Sequence, residues 1–294
     1  MKAYKLKKFL SMILVIVIFT TSCLTGFAEG ISGARQSAGD VLVPAKGVTW
    51  AEAGKQLAGM LGYIVEDAAD IDLSSHAERI RNLSIEDDSI YLAILAENGY
   101  LPEDIGQIDP AGAITADAYV QLMEEAFPTV LDSQTAIDML RGEINEGNLA
   151  IMGDDLAMTT MLPKRLAVVS AKDLSLSAVK ADALSLNAAS SVDLSECEIT
   201  RVHIHDGVAK DETQDDEQAD LIYLHMDTGT KLPEVIVKSA DEVLIEGSGA
   251  LGVVRVQEPV DSLTVRATGS VINETEVAFE VTGPDAQVVE LQPG

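Results

Sequence analysis

The chain has 294 residues, with 48 Asp and Glu against 20 Lys and Arg, a formal charge of −28, and 47% hydrophobic but only 4% aromatic residues. So negative a field repels nucleic acid and anionic lipid and excludes both as partners. The apolar share, mostly Ala, Val, Leu and Ile, suffices for a packed core of one large or two modest domains.

Lys2, Lys5, Lys7 and Lys8 precede an apolar run from Phe9 to Phe19 broken only by Ser11. The run is shorter than the roughly 20 residues that span a bilayer. Polar Thr20, Thr21 and Ser22 follow, and Gly26-Phe27-Ala28 places small residues where a signal peptidase reads. This pattern predicts a secretory signal over 1–28, with Glu29 as the mature N-terminus and an extracellular or cell-surface address. Two alternatives are a retained anchor and a lipoprotein processed at Cys23, whose Thr-Thr-Ser-Cys lacks the branched aliphatic residue usual at the first position. The mature chain carries 16 bases against 48 acids, a formal −32. Cys197 is its one cysteine, so no intrachain disulfide is expected. No later segment is long and apolar enough to cross a membrane.

From residue 29 to about 145 the pattern is helical. Trp50–Leu61 places Ala53, Leu57, Met60 and Leu61 on one face. Asp87–Glu97 repeats that logic with Ile90, Ile94 and Leu95 and stops at Asn98-Gly99. A loop rich in Pro and Gly spans Tyr100–Ile114. Thr115 is the expected N-cap of a third helix that ends at Pro128. Ser133–Arg141 predicts a last helix before Gly147.

Over 146–294 the period is two. Apolar-x-apolar triplets recur at Leu149, Leu166, Leu174, Leu184, Val192 and Val202, and again at Ile222, Val235, Val243, Val254, Leu263, Phe279 and Val289. Most lie eight to eleven residues apart. The strands are short, the connections lack Asn-Gly or Asp-Gly pairs, and 171–178 (AKDLSLSA) reads as a copy of 181–188 (ADALSLNA). The expected fold is therefore α + β in separate domains: a helical module, then an all-β parallel β-helix or solenoid. An antiparallel β-sandwich is the alternative.

His203 and His205 share one face of a strand, and His225 sits similarly between Leu224 and Met226. Were their strands adjacent, the three imidazoles could meet around a transition metal; as ordinary surface residues they would not. The acidic loop 206–220 holds seven acids and one Lys, enough oxygen for loosely bound calcium, but lacks EF-hand spacing and reads best as a solvated insertion. The paired aspartates Asp154-Asp155 and Asp215-Asp216 are the nearest approach to a carboxylate dyad. No Gly-x-Ser-x-Gly, His-Glu-x-x-His or phosphate loop is present. A noncatalytic protein is expected, without a cofactor. The rival is a β-helical polysaccharide lyase or hydrolase.

Ile90–Phe127, a helix, a Gly turn, a Pro/Gly/Asp loop and Ile114-Thr115 opening a second helix, resembles the S-layer homology (SLH) module of Gram-positive, clostridial-type surface proteins. Val48–Leu61 resembles the second half of a preceding copy, giving about one and a half repeats. The β half is similar in texture to β-helical tails that follow such modules. The resemblance implies a structural or interaction role at the cell wall, with cell-wall polysaccharide or surface proteins as partners. It implies glycan contact at Trp50, Glu52, Thr115 and Asp117. The family's contact arginine is replaced by Trp50 in one copy and Ala116 in the other, which removes a guanidinium fork suited to acidic sugar.

Overall fold

The computed structural model describes residues 48–290 except 104, 132, 141–146, 154, 188, 206–220, 239, 276–279 and 283–286. The leader, Cys23, Asp154, Asp215-Asp216 and the acidic loop lie outside the described residues. Two compact units meet in sequence at Val130 and Leu131.

The first unit holds α1 (Trp50–Met60), a 3-10 turn (Val65–Ala68), the single turn α2 (Leu73–His76), α3 (Ile90–Glu97) and α4 (Ala116–Ala126), followed by the short strand β1 (Thr129–Leu131). Helix α1 starts on a capping box: Glu52 N donates to Thr49 Oγ1 at 3.2 Å, and Thr49 N donates to Glu52 Oε2 at 2.7 Å. Its expected face is buried, with Ala53, Leu57, Met60 and Leu61 all at or below 2% exposure. A Cβ on Gly54 would lie 2.7 Å from Leu92 Cδ2, so glycine lets α1 approach α3. Helix α3 differs from expectation. Every residue from Ile90 to Leu95 is buried, because neighbours surround it on all sides. Thr115 caps α4, its Oγ1 accepting from Ala118 N at 3.2 Å.

The second unit opens with α5 (Gln134–Leu140) and continues as strands β2 (Leu149–Met152), β3 (Leu156–Thr159), β4 (Arg165–Ser177), β5 (Lys180–Leu186), β6 (Ala189–Ser195), β7 (Glu198–Ile204), β8 (Leu221–Met226), β9 (Lys231–Val237), β10 (Ala240–Gly247), β11 (Ala250–Val256), β12 (Val260–Arg266), β13 (Ser270–Asn273), β14 (Glu280–Thr282) and β15 (Gln287–Glu290). The pairings from β2 to β15 are parallel. This is a parallel β-solenoid of about six turns, and the antiparallel sandwich is ruled out. One stack runs β2, β4, β5, β7, β9, β11, β13, β15; the other runs β3, β4, β6, β8, β10, β12, β14. Strand β4 is long enough to serve both.

Register makes the core. Leu149, Leu166, Leu184, Val202, Val235, Val254 and Val271 stack in one inward column. Their separations are 17, 18, 18, 33, 19 and 17 residues. The long step contains residues 206–220, so the insertion interrupts the sequence period without altering the stack. Leu156, Leu174, Val192, Leu224, Ile245 and Val265 form the opposing column. Both columns belong to one continuous buried cluster. Each coil buries its neighbour's inward row, so stability is a sum over neighbouring interfaces.

Corners recur with the coil. Thr160, Ala178 and Glu196 all have φ between 52° and 55°, and Thr160 N and Ala178 N each donate at 2.8 Å to the next coil, to Ser177 O and Ser195 O. A later corner needs glycine: Gly247 has φ of 130°, and a Cβ there would lie 1.9 Å from Met226 O. Three strands escaped the sequence reading, β1, β3 and β13. Helix α5, expected within the helical module, belongs to the second unit. Leu131 and Ile137 are part of the solenoid core. Gln134 lies against the edge strand β3, its Oε1 accepting from Ala157 N at 2.8 Å and its Nε2 donating to Ala157 O at 2.9 Å. An edge strand left bare is a template for pairing with another chain. The Gln134 amide occupies that edge as a further peptide group would.

Candidate functional site: side-chain ladders on the solenoid

The expected glycan contacts of the first unit are drawn to one place by backbone pairing. Thr49 bridges Ala113, Trp50 N donates to Gly112 O at 3.0 Å, and Ile114 N donates to Val48 O at 2.9 Å. The start of α1 therefore lies beside the segment that enters α4. Trp50 is partly buried, and Asp117 is exposed in the first turn of α4. Glu52 and Thr115 have capping roles that occupy the groups expected to face a ligand.

The histidines separate. His203 lies on β7, His205 directly follows that strand, and His225 lies on β8 in the other stack, so the three imidazoles do not converge. His203 and His205 stack with centroids 5.9 Å apart and planes at 18°. Both face away from the core, since Val202 and Ile204 point inward. His203 is nevertheless 0% exposed, in a column with Ala150, Ala167, Ser185 and Ile236 that is buried throughout. Neither ring nitrogen of His203 has a hydrogen-bond partner among the described residues. Burial holds its pKa well below the usual value of 6.5, reinforced by His205, Lys238, Arg201 and Arg165. The nearby charges of Lys238, Arg201 and Arg165 are poor surroundings for a metal dication. Among the described residues no group of three or more His, Cys, Asp or Glu side chains could hold a metal ion. Cys197 is buried, and its thiol pKa is raised by desolvation.

Parallel, in-register stacking makes every outward position a column, so side chains far apart in sequence become neighbours about 4.8 Å apart. Two charge ladders follow on the first stack. Glu198 takes Lys180 Nζ at 2.8 Å and Lys231 Nζ at 2.9 Å. These hydrogen bonds, Lys180 first, lower its pKa to about 2. They flank an open groove of about 560 Å3 bordered by Pro163, Lys164 and Pro233. Farther along, Arg201, Glu234, Arg255 and Glu274 alternate in sign, with contacts of 2.7, 3.2 and 2.6 Å.

The second stack carries the chemically richest column. Ser175, Asp193, His225, Glu246 and Arg266 occupy successive coils. Asp193 Oδ1 lies 3.0 Å from His225 Nδ1, Tyr223 Oη donates to Glu246 Oε1 at 2.7 Å, and Arg266 Nη1 donates to Glu246 Oε2 at 3.2 Å. The rings of Tyr223 and His225 are 6.2 Å apart at 13°. Donation to Glu246 pushes the Tyr223 pKa up to about 12 and lowers that of Glu246. The face is open: the side chains of Asp193, His225 and Arg266 are 57%, 40% and 60% exposed. Sequence reasoning missed Asp193, Tyr223, Glu246 and Arg266. Their available signal was that Asp193, His225, Glu246 and Arg266 each follow an inward aliphatic residue of their strand, but the coil alignment was needed to connect them.

No protein-family model, no curated protein and no solved structure matches this chain.

Proposed function

We propose that the chain is a noncatalytic, secreted protein of a Gram-positive cell surface, with an SLH-like helical unit and a solenoid that serves a structural or glycan- and protein-binding role. The observation that carries this reading is the commitment of the outer-face groups. His225 is held by Asp193, and Tyr223 and Arg266 are both held by Glu246, in pairs fixed by strand register. Pairs fixed in this way hold their donors and acceptors in a set array, which suits a surface that recognises a partner by contact. Joined helix starts around Trp50 and Thr115 support the SLH-like reading at the level of local geometry.

The helical unit is a weak anchor to acidic wall polymer in this proposal. Trp50 and Ala116 cannot supply the bidentate guanidinium contact, and the mature charge opposes a polyanion. Sedimentation with purified wall tests it: the unmodified protein stays in solution, and Ala116→Arg gains binding. Tight binding by the unmodified protein, lost on Trp50→Ala, refutes the weak-anchor reading. Sequencing the exported product tests the address, with Glu29 expected first and a diacylated Cys23 identifying a lipoprotein.

A further inference from the structure

We propose that the outer face formed by β6, β8, β10 and β12 is a glycan-contact platform, with Tyr223 and His225 as the stacking surface and Asp193, Glu246 and Arg266 as flanking hydrogen-bond groups, and that it takes an uncharged, hydroxyl-rich polysaccharide. The inference rests on the surface-protein reading and moves ligand contact from the helical unit to the solenoid.

Aromatic side chains are scarce in this protein, and Tyr223 is the sole Phe, Trp or Tyr among the described solenoid residues. It is not spent on the core. Tyr223 and His225 are two apart on β8, alternating with the buried Ile222, Leu224 and Met226, so both rings stand on the outer face. Their planes are near parallel, 13° apart with centroids at 6.2 Å, and the aromatic surface they leave on the outer face suits contact with the apolar C–H groups of a pyranose ring. Each ring is anchored at its polar edge, Tyr223 through Glu246 and His225 through Asp193. Little rotamer freedom remains to be lost when a ligand binds.

The surrounding groups fit hydroxyls. With Nδ1–H donated to Asp193, His225 Nε2 is an acceptor. Asp193 and Glu246 have lone pairs beyond those already used, and Arg266 has further N–H donors. These groups repeat from coil to coil at the strand spacing, comparable to the length of one sugar unit, so a linear chain lying across the coils meets one after another. Charge selects among glycans. Asp193 and Glu246 repel a polyanion, and Arg266 is engaged with Glu246. A protein partner fits less well, since a standard interface buries about 800 Å² per side around an apolar centre and this face offers two rings among charges.

Affinity electrophoresis of the full exported protein tests the platform, in gels containing mixed-linkage glucan, mannan or hydroxyethylcellulose, with polygalacturonate as the anionic arm. Retardation in at least one neutral polysaccharide is expected, about tenfold weaker for Tyr223→Ala and largely kept by Tyr223→Phe. Asp193→Asn and His225→Ala weaken it further, with unchanged thermal unfolding as the folding control. Free migration in all three neutral gels overturns the platform, as does retardation that survives Tyr223→Ala combined with His225→Ala, or retardation in polygalacturonate alone. Appearance of new reducing ends overturns the noncatalytic reading instead and leaves the platform standing. Wall sedimentation that depends on Trp50 alone, with no neutral-glycan retardation, overturns the platform and leaves surface attachment intact.

Discussion

Replacing Gln134 by alanine removes a side-chain amide that stands in for a neighbouring strand. Two hydrogen bonds to the backbone N–H and C=O of one residue, Ala157, are lost, at 2.8 and 2.9 Å. A third, from Nε2 to Asp138 Oδ1 at 3.0 Å, goes with them. A net value of about 0.5–1.5 kcal/mol each puts the two edge bonds at about 1–3 kcal/mol, and because Ala157 is exposed and water can replace the amide, the lower half of that range is expected. In urea this corresponds to a midpoint lower by about 0.5–1 M for a slope of about 2 kcal/mol/M. The Ala157 amide exchanges with solvent faster than in the parent, and the variant self-associates more through its opened edge. Gln134→Glu sharpens the argument. Ionised, the introduced carboxyl accepts from Ala157 N but faces Ala157 O without a proton; protonated, it restores both bonds. Its folded pKa is therefore raised, and its stabilising contribution is present below the unfolded value of about 4.3 and lost as pH rises through the folded value. An unshifted urea midpoint for Gln134→Ala, with Ala157 exchange unchanged, refutes the capping role.

Gly247→Ala is expected to cost well over 1 kcal/mol in the same urea assay, because the backbone has φ of 130° and the new Cβ meets Met226 O. A loss no larger than that of an ordinary exposed Gly→Ala change counts against the corner geometry. Asp227, whose pKa is lowered to about 2 by the Glu196 N–H, Ser195 and further donors, stabilises the fold above its unfolded pKa of about 3.9, and that contribution disappears as pH falls through about 2. Asp227→Asn therefore flattens the stability profile across that acid window, and an unchanged profile contradicts the assignment. His203 is buried neutral, so the unfolded chain takes up protons that the folded one refuses, and stability falls as pH drops below about 6.5 toward the lowered folded value. His203→Leu removes that part of the pH dependence and is neutral or stabilising at pH 7, since an unpartnered polar group is replaced by an apolar one. A loss above about 1 kcal/mol at pH 7 shows instead that the imidazole has a role there.

Period and caps were legible in the sequence because they are local. The 3.6-residue spacing of Ala53, Leu57 and Met60, the cap at Thr115 and the alternation around Leu184 or Val254 are written in neighbouring residues, and helices α1, α3, α4 and α5 and most strands follow from such local patterns, whereas the short α2 was not expected. Strand β13 escaped because Val271-Ile272-Asn273 puts a polar residue where the triplet pattern expects a second aliphatic one. Strand β3 carries an apolar-x-apolar triplet, Leu156-Ala157-Met158, but it lies only seven residues after the Leu149 triplet, closer than the spacing of most of the others. The sequence alone also marked 206–220 as an interruption, since its acids cannot join an aliphatic column.

Tertiary structure alone decided which strands share a face. His225 looked like a companion of His203 and His205, but strands alternate between two stacks, so residues one strand apart lie on different sides and residues one coil apart become neighbours. That step of 17 to 21 residues, stretched to 32 or 33 across the insertion, has no local signature. It puts Asp193 beside His225 and Glu246 beside both Tyr223 and Arg266. The same non-locality made Ile137 a core residue of the solenoid and buried His203 on a face that alternation assigns to solvent. Hydrophobic pattern specifies which side of a strand faces the core, whereas what covers the other side depends on contacts between residues distant in the chain.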